Sequence, residues 1–167
     1  MNLGGTLVEL LVSPFVWEGR INGKLIWGIV PLYAGWVVNE LGAARATSRT
    51  ALNTGASFLW AGLHWSWLLF VERVGPASRG AVAVSLLVTG VVLAAGAVAL
   101  VAGLRRKLPR RLRFLGHTRF ANYFMIAIYP MQSGFLAWTW PRVAAVAMFA
   151  PVVWVLVQMA RLPWRGR

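Results

Sequence analysis

Residues 80–104 read GAVAVSLLVTGVVLAAGAVALVAGL, with no charge and no proline. As a helix this stretch rises roughly 37 Å at 1.5 Å per residue. That exceeds the ~30 Å hydrocarbon core of a bilayer, so it crosses with tilt. A helix satisfies its own backbone hydrogen bonds, and these side chains ask nothing of water.

One such segment constrains the rest of the chain. Of 167 residues 59% are hydrophobic, and mean hydropathy is +0.65. The charged share is 13%, about half the ~25% of ordinary globular domains. A single domain with so few charges cannot wet its own surface. The expected class is therefore an all-α integral membrane bundle, one transmembrane domain over 1–167.

Four further segments carry the apolar pattern with interruptions: 25–41 with Pro31 inside, 52–71, 120–140 with Pro130, and 143–160 with Pro151. With 80–104 they predict about five spans, several bent at proline. Residues 3–17 are apolar but short, and contain Glu9 and Pro14. Leu3, Leu7, Leu10, Leu11 and Phe15 make one stripe, with Thr6, Glu9 and Ser13 opposite. That pattern predicts an amphipathic helix lying at the interface or partly re-entering. Asn22-Gly23 marks a turn after it.

The net charge is +13. In so apolar a chain this excess points to orientation in a membrane and to acidic lipid, not to nucleic acid. The run 105–113, RRKLPRRLR, follows the third span directly. Its cations, Arg105, Arg106, Lys107, Arg110, Arg111 and Arg113, are the expected anionic-lipid contacts. No aromatic stacking platform accompanies them, so nucleic acid is not an expected partner. With five spans this run shares a side with Arg45, Arg49, Arg161, Arg165 and Arg167. Positive-inside then puts the N-terminus outside and the C-terminus in the cytoplasm. No basic region precedes the first apolar stretch and no A-x-A-like site follows it, so a cleaved signal is not expected.

Chemistry is sparsely provided. Cysteine and aspartate are absent. Disulfides, thiolate nucleophiles and Cys-ligated zinc are thereby excluded. Glu9, Glu18, Glu40 and Glu72 are too scattered for the close carboxylate pair of most two-acid chemistries. There is no G-x-S-x-G, H-E-x-x-H, Walker A or G-x-G-x-x-G sequence. Neither an enzyme nor a metal site is expected.

The polar residues within the spans are not scattered. Asn53, Ser57, Trp60, His64 and Trp67 recur at spacings of four, three, four and three, one continuous helix face. A polar stripe on a transmembrane helix turns to protein or to a wet cavity, because lipid offers no partners. In the first span Tyr33, Trp36 and Glu40 share a face, with Asn39 beside it. In the fourth, Asn122, Tyr129, Gln132 and Ser133 lie broadly together, and Pro130 frees the Ile126 carbonyl. In the third, Ala95, Ala99 and Gly103, and Gly90 with Ala94, have the small-residue spacing of close helix packing, within the chain or between copies.

The expected arrangement has spans one, two and four around a polar interior, with His64 near its midpoint. Its lining is His64, Asn53, Ser57, Trp60, Trp67, Tyr33, Glu40, Asn122, Tyr129, Gln132 and Ser133. His64 has three available roles: a cross-helix hydrogen bond to Tyr129 or Gln132, a protonatable gate, or an axial ligand to haem or chlorophyll. No cofactor is expected, and the macrocycle is the alternative. Glu40 either pairs near the inner boundary or marks a cation site. The function expected is a small homo-oligomeric permeation or transport protein for an ion or small solute. The alternative is a non-catalytic accessory or scaffold subunit of a larger membrane complex, holding a lipid or pigment through the His64 stripe. Both readings have the bilayer, anionic lipids and further membrane subunits as partners.

Overall fold

The computed structural model describes residues 3–17, 20–42, 47–72, 79–105 and 119–161. Its architecture is all-helical apart from a two-residue strand pair. In order these are α1 Leu3–Val12, β1 Val16–Trp17, β2 Arg20–Ile21, α2 Gly23–Gly42, α3 Ser48–Phe70, α4 Arg79–Leu104, α5 Arg119–Gln132 and α6 Trp140–Arg161.

The first apolar stretch makes a helix shorter than 3–17, because Pro14 has no N–H to continue it. The chain turns back instead, with Val16 opposite Ile21 and Trp17 opposite Arg20 in antiparallel register. Leu10 is wholly buried between α5 and α6. Ser13, expected on the polar side of α1, is also buried. An ion pair, Arg142 Nη2 to Glu9 Oε1 at 2.9 Å, ties α1 to the first turn of α6.

The helix α3 is the spine of the bundle. Thr47 opens it with a capping box: its hydroxyl accepts from Thr50 N–H, and Thr50 Oγ1 accepts from Thr47 N–H. One face packs on α2 and another on α4, and Lys24 pairs with Glu72 at the α2-start, α3-end corner.

Glycines set the α3–α4 distance. A Cβ on Gly55 would lie 2.5 Å from Leu100 N and 2.8 Å from Gly96 O. One on Gly103 would lie 2.9 Å from Leu52 N and from Ser48 O. These are backbone atoms, which cannot rotate aside. Among its described side chains α4 buries Ser85, Thr89, Val92, Gly96, Ala99, Ala102 and Gly103. The small-residue packing predicted for the third span thus operates within the chain, at Ala99 and Gly103. Gly90 and Ala94 are exposed, and a Cβ on Gly90 would meet nothing within 4 Å.

Among the described residues one helix, α4 over Gly80–Leu104, is long and apolar enough to cross a membrane, where five were expected. α2, α3 and α6 have comparable length, but their polar and proline positions dilute the apolar signal. The fourth expected span differs in form. Its helix α5 stops at Gln132 instead of running to 140. Pro130 lacks an N–H, Ser133 Oγ donates to Pro130 O at 3.1 Å, and Gly134 turns the chain at φ 76°. Residues 133–139 then lead non-helically to α6.

The short α5 lies at the centre. Met125, Ile126 and Tyr129 join a core with Leu25, Ile29 and Leu32 of α2 and Phe58, Ala61 and Trp65 of α3. Tyr123, Ala127 and Met131 join a second core with Leu10, Leu136 and Val146. α5 is thereby covered from both sides, which explains why its described polar side chains are buried.

Candidate functional site

The stripe on α3 turns to α2 and α5, and Asn53, Ser57 and Trp60 each meet a particular acceptor. Pro31 leaves the Trp27 carbonyl without its intrahelical donor, because a proline at position i cannot bond the carbonyl at i−4. Trp60 Nε1–H fills that place, donating to Trp27 O at 2.8 Å. One turn along, Ser57 Oγ donates back to Asn53 O at 2.9 Å and sits 3.3 Å from Pro31 O. Asn53 Nδ2 donates to Gly35 O at 2.7 Å and to Asn39 Oδ1 at 3.0 Å, and Asn39 Nδ2 donates to Thr54 Oγ1 at 3.0 Å. Glycine makes this approach possible, since a Cβ on Gly35 would fall 2.2 Å from Ser57 Oγ.

His64 occupies a three-helix junction. The Tyr129 hydroxyl of α5 and His64 Nδ1 share a hydrogen bond at 2.6 Å; with the imidazole proton on Nε2 the hydroxyl donates, and with it on Nδ1 the hydroxyl accepts. The imidazole also approaches the backbone of Lys24. Gly28 of α2 lies directly beneath, where a Cβ would be 1.5 Å from the Tyr129 hydroxyl and 2.4 Å from His64 Nδ1. Trp67 and Trp65 close the junction, with ring centroids 5.8 Å from His64 and 5.5 Å from Tyr129 respectively.

The other expected lining residues do not converge there. Gln132 turns to α4, where its Nε2 donates to Ser85 O at 2.6 Å and Thr89 Oγ1 at 3.0 Å. Ser133 bonds locally at the end of α5. Tyr33 turns to the end of α1, donating to Leu11 O at 3.3 Å and packing on Phe15 and Trp36. Asn122 is wholly buried, and neither amide atom has a hydrogen-bond partner. The Glu40 side chain lies outside the described residues, as do Arg106, Lys107, Arg110, Arg111 and Arg113. Arg105 is exposed just past α4. Among the described residues no three His, Asp or Glu side chains gather to hold a metal.

Beside the stripe runs a groove of about 620 Å³ between α2 and α3. Its α2 wall includes Trp27, Val30 and Val38, and its α3 wall is Asn53, Ala56, Ser57 and Trp60. It opens to the outside of the bundle: Trp27 is 73% exposed, Val38 57% and Trp60 44%. The amide of Asn53, the hydroxyl of Ser57 and the indole N–H of Trp60 are already bonded within the bundle. The groove therefore presents a mainly hydrocarbon surface.

Gly28, Gly35, Asn39 and Thr54 belong to this site although the expected lining omits them. Gly28 and Gly35 lie two turns apart on one face of α2, with Pro31 between them, a spacing visible in the sequence.

No protein-family model, curated protein or solved structure matches the chain.

Proposed function

We propose that this chain is a multi-pass integral membrane protein, without catalysis of its own, that seats a membrane lipid in the groove between α2 and α3. It acts as a lipid-holding subunit of a membrane assembly. The observation that carries this reading is the form of the groove: apolar, outward-facing and rimmed by exposed tryptophan, with its polar neighbours already bonded to one another. A permeation path would ask the same stripe to face water, whereas Asn53, Ser57, Trp60 and His64 direct their polar atoms at α2 and α5. Filling the groove with Ala56→Trp is expected to lower the lipid that co-purifies with the protein at least several-fold, read by native mass spectrometry, while the fold is retained. Unchanged lipid content would refute the seat.

The membrane setting draws support from the uncovered apolar surface. Only 28% of the most apolar window of α4 is buried, and Leu87, Val91 and Leu104 are 68%, 61% and 65% exposed. On α3 Leu63 and Phe70 are 60% and 67% exposed. Contiguous apolar faces of this kind are rare on soluble monomers. In the proposed topology α2, α3, α4 and α6 cross, and α5 crosses together with the non-helical 133–139. The N-terminus is outside and the C-terminus cytoplasmic. Non-helical backbone at membrane depth is tolerated where protein covers it, and Ser133 and Leu136 are buried. Because the chain has no cysteine, single cysteines report topology cleanly. A membrane-impermeant maleimide on intact cells should label Ile21→Cys, and should reach Arg105→Cys only after permeabilisation. Equal labelling of both would overturn the topology.

A further inference from the structure

We infer that the groove between α2 and α3 selects a phospholipid with an anionic headgroup, and that Arg49 holds that headgroup at the mouth nearest Asn53. The inference rests on the lipid reading of the groove and adds the class of lipid.

Arg49 stands in the first turn of α3. From there Asn53, Ala56 and Trp60 follow at spacings of four, three and four, so Arg49 continues the α3 wall of the groove by one turn. It is exposed. The two acids with described side chains and partners are engaged elsewhere: Glu9 with Arg142 and Glu72 with Lys24. Among the described residues Arg49 has no ion pair, and it stands one turn beyond Asn53 at the end of an apolar slot. The N-terminal end of the α3 dipole adds to the same positive potential.

Groove and cation together describe an amphipathic occupant. The α2 wall extends from Ile26 to Val38, roughly 18 Å at 1.5 Å per residue. That is a length for an acyl chain and not for a compact solute. Along it the polar atoms of Asn53, Ser57 and Trp60 are bonded internally, so nothing rewards a polar tail. Among the described residues beside this mouth, recognition of charge falls to Arg49, whose planar guanidinium matches phosphate oxygens. In the proposed topology this mouth opens to the cytoplasmic leaflet, where anionic lipids concentrate.

The test uses the full chain in phosphatidylcholine vesicles. These carry a trace of phosphatidylglycerol or phosphatidylcholine with the same diazirine-bearing acyl chain. After irradiation, adducts are mapped to residues 26–60. Reading the acyl chain at the groove keeps lipid attracted elsewhere, for example by the run 105–113, out of the signal. The phosphatidylglycerol probe is expected to label the groove about fivefold more than the phosphatidylcholine probe, equivalent to about 1 kcal/mol for one surface cation. Arg49→Gln should bring that ratio to about one and leave phosphatidylcholine labelling unchanged. Ala56→Trp should remove labelling by both probes. A wild-type ratio near one, or a ratio that survives Arg49→Gln, overturns the headgroup inference while leaving the lipid seat standing. Labelling that survives Ala56→Trp overturns the seat itself, and adducts joining two chains in place of lipid adducts make the groove a contact between copies.

Discussion

Gly55→Val is expected to force α3 and α4 apart and to destabilise the protein by about 3 kcal/mol. The Cβ alone would lie 2.5 Å from Leu100 N and 2.8 Å from Leu100 Cα and Gly96 O. All three are backbone atoms of a continuous helix, so relief requires a shift of α4 as a body. That shift also loosens Gly103 against Ser48 and Leu52, and Gly96 against Leu59, because one rigid contact line carries all of them. Packing of this kind is the main source of helix association where no hydrophobic effect operates between helices. Gly90→Val is the matched control, on the open side of α4 with nothing within 4 Å. It should change stability by less than ~0.5 kcal/mol, as for surface sites generally. Equilibrium unfolding in mixed micelles measures both. Equal stability of the two variants would show that the close approach of α3 and α4 is not as described.

Gly28→Ala has the next largest expected effect, a loss of about 2–3 kcal/mol. The new methyl would sit 1.5 Å from the Tyr129 hydroxyl, which amounts to occupying its place. Tyr129 is wholly buried and cannot swing into solvent. Its bond to His64 breaks, and both polar groups remain inside the bundle. The arrangement also predicts a rescue. In Tyr129→Phe the hydroxyl is gone and the ring remains, so Gly28→Ala on that background should cost less than half as much. A methyl there still lies 2.4 Å from His64 Nδ1, so the rescue is partial. The same unfolding measurement closes the double-mutant cycle. Additive costs would mean that Gly28, His64 and Tyr129 do not share one space.

The contrast between these two sites reflects how far each was legible in the residues. Glycine and alanine spacing in the 80–104 stretch announces a close helix contact, and α4 makes one. The partner glycines Gly55 and Gly62 on α3 carry the same seven-residue spacing as Gly96 and Gly103. Nothing in either segment alone says that the two sets meet. For His64, the helical wheel of residues 52–71 supplies its face but leaves Tyr129 and Gln132 as equal candidates. The structure separates them, with Tyr129 at His64 and Gln132 at Ser85 and Thr89. Both lie on one short helix, less than one turn apart in sequence. Which of them reaches α3 depends on how α5 is rotated about its own axis.

Several features belong to the sequence alone. The helical class, the positions of most helices, the uncharged 80–104 stretch and the single face joining Asn53 to Trp67 are all readable from it. They follow from composition and from the 3.6-residue period, which are properties of one segment. The tertiary structure decided the rest. It ended α5 at Gln132, paired the freed Trp27 carbonyl with Trp60, laid His64 and Tyr129 over Gly28, and left the groove beside Asn53 and Ser57 open to the outside. Each of these depends on the rotation and separation of neighbouring helices. Those are set by which small residues let two backbones approach, and a single helix carries no record of its neighbour's register.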